Sequence, residues 1–89
     1  MIAFKDFVPE QVSAGGLFSS PEYEMLEKAV AQANDWIETS EIKVLNIETV
    51  ILPNIYKYDR DGSTDSPLLS SGENATTWHQ IVRVWYHAE

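Results

Sequence analysis

The chain contains no cysteine, so neither a disulfide framework nor a thiolate metal site is available to it. This absence favours a reducing compartment. The sequence also lacks an apolar run near the ~18 residues that a membrane span requires, and its first residues, which include Asp6 and Glu10, do not have the pattern of a signal peptide. We therefore expect a cytoplasmic protein that does not enter a membrane.

Basic residues are scarce, with six Lys and Arg against fourteen Asp and Glu, and the net charge is -8. Such a chain repels phosphate backbones and anionic lipid surfaces, which disfavours direct nucleic-acid binding. The acidic residues serve either solubility or the imitation of phosphates, as in an inhibitor that blocks a basic site on another protein. They are spread along the chain with no block of five or six, which favours solubility.

With 89 residues and no internal repeat, the chain is predicted to form a single domain, residues 1–89, around one core. Residues 42–52 give the clearest secondary-structure signal in the chain, because seven of the eleven are large and apolar and many are β-branched. This composition predicts a strand in the middle of a sheet. The apolar residues change parity between Val44 and Leu45, which predicts a β-bulge there or a strand buried on both faces.

The flanking segments predict one helix and two further strands. Residues 1–8 alternate like a short strand, and residues 21–38 follow helical spacing, with Ser19 or Ser20 as the N-cap and Pro21 in the first turn. The predicted apolar stripe of this helix consists of Leu26, Ala29, Val30, Ala33, Trp36 and Ile37. After Pro53, Ile55 and the residues that follow resume an extended pattern, so the second strand is expected to continue past a kink.

Residues 78–87 form the last predicted strand, with Trp78, Val82, Val84 and Tyr86 on one face and His79, Ile81, Arg83, Trp85 and His87 on the other. The second and third strands are expected to pair as an antiparallel hairpin, with the 59–77 loop at its tip. The first strand reaches the sheet through the helix, a crossover that predicts parallel pairing with the second or third strand. The predicted fold is α+β: a single helix packed on a three-stranded mixed sheet, in the order β-α-β-β.

In this order of elements, and with residues 59–77 as an insertion, the chain resembles the small strand-helix-strand-strand proteins grouped with a sporulation-associated family of spore-forming bacteria. The resemblance rests on hydrophobic patterns in residues 1–7, 26–30, 42–51 and 81–86. It implies the fold described above. It implies no catalytic residue, because such families are largely without assigned activity.

No group of residues predicts catalysis. His79 and His87 share a strand face but would lie about 26 Å apart, so they cannot bind one metal and are interpreted as surface histidines. No nucleophile is spaced to act with either of them. We expect a protein that is not an enzyme and has no cofactor.

Asp59, Asp61 and Asp65 around Gly62 resemble part of a calcium loop, with acids at positions 3 and 5 and glycine at position 6. Lys57 occupies position 1, however, and Leu68 stands where a bidentate glutamate is needed. The stretch is interpreted as an acidic turn, with weak cation binding as the alternative.

Aromatic and aliphatic side chains exceed what one helix can cover, because a single helix shields one face of a three-stranded sheet. The other face is expected to leave apolar surface for a homodimer, and an open strand edge offers a second route. The predicted interface residues are Val50, Leu52, Tyr56, Trp78, Val82, Val84 and Tyr86. The leading prediction is thus a self-associating interaction module, with residues 59–77 as its variable contact element and an unidentified protein as a further partner. The alternatives are the acidic inhibitor and a small-ligand pocket between subunits lined by Trp78, Trp85 and Tyr56.

Overall fold

The computed structural model describes residues 1–13, 15–16, 22–56, 61–65 and 77–88. Over these residues the chain forms five strands and one helix: β1 (Ile2–Phe7), β2 (Gln11–Ser13), β3 (Glu22–Tyr23), α1 (Leu26–Ser40), β4 (Val44–Pro53) and β5 (Trp78–His87). The α+β class is therefore confirmed. Within the same residues, no helix has the length and apolar character needed to cross a membrane.

The main sheet has the strand order β1-β5-β4, and both of its pairings are antiparallel. The β4/β5 hairpin is confirmed, but the mixed sheet is not: β1 pairs with β5, so β1 and β4 run in the same direction without touching. The central strand is β5 rather than residues 42–52. Its Ile81 and Val84 point to opposite faces and are both fully buried, whereas β4 lies at the edge.

A β-bulge interrupts β4 at Leu45, which confirms the first of the two alternatives for the parity change. The register of β4 on β5 shifts between Val44 and Asn46, which leaves Leu45 as the extra residue. Regular pairing then continues to Pro53, which lies opposite Trp78.

The strand does not continue past Pro53, which corrects the extended pattern expected for Ile55 and Tyr56. Asn54 adopts a left-handed conformation with φ of 53° and turns the chain away from the sheet. Its N–H donates to the Thr77 carbonyl at 2.7 Å, and its side-chain oxygen accepts from the Thr77 N–H at 2.9 Å. These two bonds close the described end of the hairpin.

The helix begins later than predicted, because Glu22 and Tyr23 pair with β2 in a small two-stranded sheet that the sequence did not predict. Met25 is the N-cap and makes no side-chain capping bond. The predicted N-cap at Ser19 or Ser20 is therefore wrong, and residues 19–21 lie outside the described residues. At the other end, Glu41 takes a left-handed conformation, and its N–H donates to the Ile37 carbonyl.

The main core lies between α1 and the strands β1 and β5. Ala29 and Ala33 are buried on the helix, where their small side chains allow close approach to Phe7, Val82 and Val84. The residues packed around this cluster are Leu26, Trp36, Ile37 and Val44. The predicted stripe is thus confirmed except at Val30, which is 42% exposed.

Candidate interaction surface

The outer strand β4 carries apolar side chains that the helix does not cover. Ile47 and Ile51 lie opposite Val84 and Gln80 of β5, so they belong to the helix-facing side of the sheet. They are nevertheless 51% and 58% exposed, because α1 lies over β1 and β5. Thr49, between them, is also exposed. We call Ile47, Thr49 and Ile51 the β4 ridge.

The backbone beside this ridge is open as well. Among the described strands, none pairs with the outer side of β4. An unpaired strand presents N–H and C=O groups that can hydrogen-bond to another chain, and natural proteins usually blunt such edges with Lys, Pro or bulges. The ridge itself carries no charged residue. Among the described residues, apolar side chains and unpaired backbone groups therefore coincide on β4.

The opposite sheet face is covered over one half by an aromatic cap, formed by Tyr23, Tyr56 and His79. Tyr23 meets His79 edge-on with ring centroids 4.9 Å apart, and Tyr56 lies 5.3 Å from His79 and 5.1 Å from Tyr23. The Tyr56 hydroxyl donates to the Pro9 carbonyl at 2.7 Å, which ties the cap to the segment after β1. Ile81 is fully buried on this face. The second face is thus partly covered by the chain's own aromatic side chains, which corrects the expectation that it is left exposed.

Burial changes the chemistry of the cap. His79 is buried, which corrects its interpretation as a surface histidine, and desolvation lowers the pKa of its imidazole. His87 remains exposed. Burial also raises the pKa of the Tyr56 hydroxyl, as do the neighbouring charges of Glu10, Glu24 and Asp61. Three carboxylates that are distant in sequence therefore act on one tyrosine.

The other half of this face is a polar and aromatic network centred on Arg83. Its guanidinium bonds to Asp6 and lies 4.5 Å from the Phe4 ring centroid, and Phe4 in turn packs on Trp85 at 5.3 Å. The Trp85 indole N–H donates to Glu48 on β4. This network joins all three strands through their own side chains.

Several predicted interface residues lie elsewhere than expected. Val82 and Val84 are buried beneath the helix, and Tyr86 meets Trp36 edge-on at 5.1 Å, because this face of β5 is the one that α1 covers. Val50 and Leu52 are half-buried on the other face, opposite Ile81 and His79.

Of the remaining predicted residues, Tyr56 belongs to the aromatic cap, and Trp78 is exposed. Ile47 and Ile51 are not among the predicted interface residues, although the sequence shows that they share a parity. The prediction of a central strand for residues 42–52 implies that neighbours on both sides cover them, whereas β4 lies at the edge.

Trp78 and Trp85, which with Tyr56 are predicted to line a small-ligand pocket between subunits, are not brought together within one chain. Trp78 and Trp85 point to opposite faces of β5 and are about 23 Å apart along the strand. Trp78 instead lines a shallow pocket with Tyr23, Met25 and Leu26 at the start of the helix.

For the residues that the structure describes, no group of three or more His, Asp or Glu side chains is placed to hold a metal ion. Asp61 and Asp65 are exposed. Lys57, Asp59 and Leu68, and residues 66–76 of the predicted contact loop, lie outside the described residues.

Comparisons of the chain with protein-family models, with curated proteins and with solved structures gave no match. Function is therefore inferred from geometry.

Proposed function

We propose that the protein is a non-catalytic, self-associating interaction module whose contact surface is the open edge of β4. The observation that carries this proposal is the exposure of Ile47 and Ile51 on a strand whose outer side has no partner among the described strands. Burying such side chains contributes about 25 cal/mol per Å² of apolar surface, and pairing the edge satisfies its backbone groups.

The role fits the rest of the molecule. Both faces of β5 are already covered, so docking at the edge requires no rearrangement of the core. We retain the cytoplasm as the expected location, and the resemblance to the sporulation-associated family implies no activity that would compete with an interaction role. Of the two routes to a dimer that the sequence offered, the sheet face and an open strand edge, the exposed side chains of β4 favour the edge.

Light scattering at two protein concentrations and two salt concentrations tests the proposal. We expect a mass that rises to that of a dimer with concentration. Because each chain carries a net charge of -8, salt should screen the repulsion between copies and strengthen the dimer. A monomer under every condition would contradict the proposal.

Matched variants locate the contact. Ile47→Thr and Ile51→Thr are expected to weaken the dimer, since each removes exposed apolar surface from the β4 ridge. Ile2→Thr is the control, because Ile2 is similarly exposed, at 63%, but lies on β1 at the other edge of the sheet. If Ile2→Thr weakens the dimer as much as the β4 variants do, the contact involves β1 and is not specific to β4.

A second candidate function, the acidic inhibitor, is supported by the grouping of Glu10, Glu24 and Asp61 around Tyr56. Carboxylates that are dispersed in sequence are here close enough to face one basic site. Capture of a partner on immobilised protein, followed by elution with salt or heparin, tests this role. Binding that survives both treatments would argue against the inhibitor, because contacts between exposed charges are screened.

A further inference from the structure

The regular part of the open β4 edge ends at Leu45 on one side and at Pro53 on the other. The bulge at Leu45 distorts the strand on one side, and Pro53, which has no N–H, interrupts hydrogen bonding on the other. Between them lies a regular stretch, residues 46–52, whose central residue is Thr49. The edge available for pairing is therefore symmetric about Thr49.

The direction of the free backbone groups follows from the hairpin. Asn54, which follows β4, donates its N–H to the carbonyl of Thr77, the residue before β5, and in an antiparallel pair the backbone groups of successive residues alternate between the two sides of a strand. Residues 47, 49, 51 and 53 thus direct their backbone groups outward. Pro53 fits this alternation, because the missing N–H falls on the outer side. Apart from the Pro53 carbonyl, the outward groups belong to the three residues that form the β4 ridge.

We propose that the partner at this edge is a second copy of the chain, with the two β4 strands antiparallel and centred on Thr49. This inference rests on the self-association proposed above and specifies its geometry. Thr49 then lies opposite Thr49 of the partner subunit, and Ile47 lies opposite Ile51 of the partner subunit. Each outward N–H of these residues meets an outward carbonyl, and the two three-stranded sheets become one continuous antiparallel sheet.

The two registers centred one residue to either side of Thr49 are less favourable. A shift of the centre to Glu48 brings two carboxylates directly opposite each other, which is destabilising. A shift to Val50 places Ile47 against the partner's Pro53, where no N–H is available. With Thr49 at the centre, Glu48 faces a valine, and isoleucine meets isoleucine on the helix side.

The arrangement also accounts for the uncovered ridge. A two-fold axis perpendicular to the sheet through the Thr49 pair puts both helices on the same face. The two ridges then adjoin, forming a strip of Ile and Thr side chains between the helices. The half-exposed Ile47 and Ile51 of each copy are covered by those of the other.

The absence of cysteine allows a direct test of this register, because each variant contains a single thiol. Glu48→Cys, Thr49→Cys and Val50→Cys are oxidised under conditions in which the wild type is dimeric, and cross-links are counted on non-reducing gels. Directly opposed residues have Cα atoms about 5.5 Å apart, within the range for a disulfide, whereas diagonal neighbours are too distant. Of these three variants tested singly, we expect only Thr49→Cys to form cross-linked dimers efficiently.

Mixing Glu48→Cys with Val50→Cys is the positive control, since these positions face each other across the two-fold axis; the mixture should cross-link although neither variant does so by itself. Ala31→Cys, on the exposed side of the helix, gives the background of random collisions.

Efficient self-cross-linking at Glu48→Cys or Val50→Cys would overturn the register while leaving self-association intact. A wild-type dimer in which none of the β4 variants exceeds the Ala31→Cys background would overturn the β4 edge as the contact. A monomeric wild type by light scattering would overturn the proposed function itself.

Discussion

Arg83 on the central strand and Asp6 on the edge strand β1 form a two-bond ion pair. The Arg83 Nε and Nη2 atoms donate to the two carboxylate oxygens of Asp6 at 2.7 and 2.9 Å. The Thr64 hydroxyl donates to the same carboxylate at 2.6 Å, which anchors residues 61–65 to β1. The side chains of Arg83 and Asp6 are 20% and 6% exposed, so the carboxylate is shielded from water and the guanidinium nearly so.

Removing the carboxylate should destabilise the protein. Asp6→Ala leaves the guanidinium of Arg83 and the hydroxyl of Thr64 without their partner, and we expect a loss of about 2 to 3 kcal/mol in the free energy of unfolding. The loss is placed below that of a fully buried pair because Arg83 retains some contact with water. Urea denaturation measures it.

Asp35→Ala is the matched control, since Asp35 is exposed on the helix and should change stability by no more than about 0.5 kcal/mol. Thr64→Val should cost about 1 kcal/mol in the wild type and much less in the Asp6→Ala background. Equal costs in both backgrounds would mean that Thr64 does not act through Asp6.

The buried imidazole of His79 predicts loss of stability in acid. Burial lowers the pKa of His79 in the folded state, whereas an unfolded histidine titrates near ~6.5. As the pH falls through about 6.5, the unfolded chain binds a proton that the folded chain resists, so the free energy of unfolding falls. Above that pH this contribution is fully present.

We expect His79→Phe to reduce the fall in stability between pH 7.5 and 5.5, because phenylalanine can contact both tyrosines and does not titrate. His87→Gln, a substitution at an exposed histidine, is the matched control. Urea midpoints at several pH values provide the comparison. An unaltered pH profile in His79→Phe would rule out the imidazole as the source.

The aromatic cap makes the second face of β5 a core in its own right. Ile81→Ala should therefore cost about 2 to 4 kcal/mol, because the side chain is fully buried and its removal leaves a cavity beneath the cap. Ile2→Ala, at an exposed position, should cost about 0.5 kcal/mol or less. Thermal and urea unfolding of the two variants test the difference. Similar costs would show that the cap does not shield Ile81 in solution.

The helix ends at Glu41, and replacing this residue with glycine should stabilise the protein. Glu41 has φ of 53°, a conformation that costs residues with a Cβ about 1 kcal/mol relative to glycine. Glu41→Gly should raise the free energy of unfolding by about 0.5 to 1 kcal/mol. The same change one residue earlier, Ser40→Gly, should lower it, because Ser40 is still within the helix. If both changes destabilise, the left-handed end is not formed.

Local pattern predicted much of this fold. The alternation in residues 78–87 assigned Val82 and Val84 to one face and Ile81 and Arg83 to the other, as the register on β1 and β4 confirms. The parity change at Leu45 marked the position of the bulge, although a strand buried on both faces would explain the same pattern. Helical spacing identified most of the residues that pack on the sheet, because periodicity reports which side of an element each side chain occupies.

The candidate site was not predictable in the same way. A strand rich in Ile and Val has the same local pattern at the centre of a sheet as at its edge, so the exposure of Ile47 and Ile51 depends on which strand pairs with β5. Likewise, nothing near His79 in sequence indicates its contacts with Tyr23 and Tyr56, because these residues come from segments far along the chain.

The sequence by itself determined the helix, the three strands of the main sheet, the hairpin and the two faces of β5, since these follow from backbone preferences and side-chain spacing over a few residues. Only the tertiary structure decided that β5 is central, that the helix stops short of β4, and that a second core forms beneath the aromatic cap. These features depend on hydrogen bonds and packing between distant segments, and they leave the β4 ridge exposed.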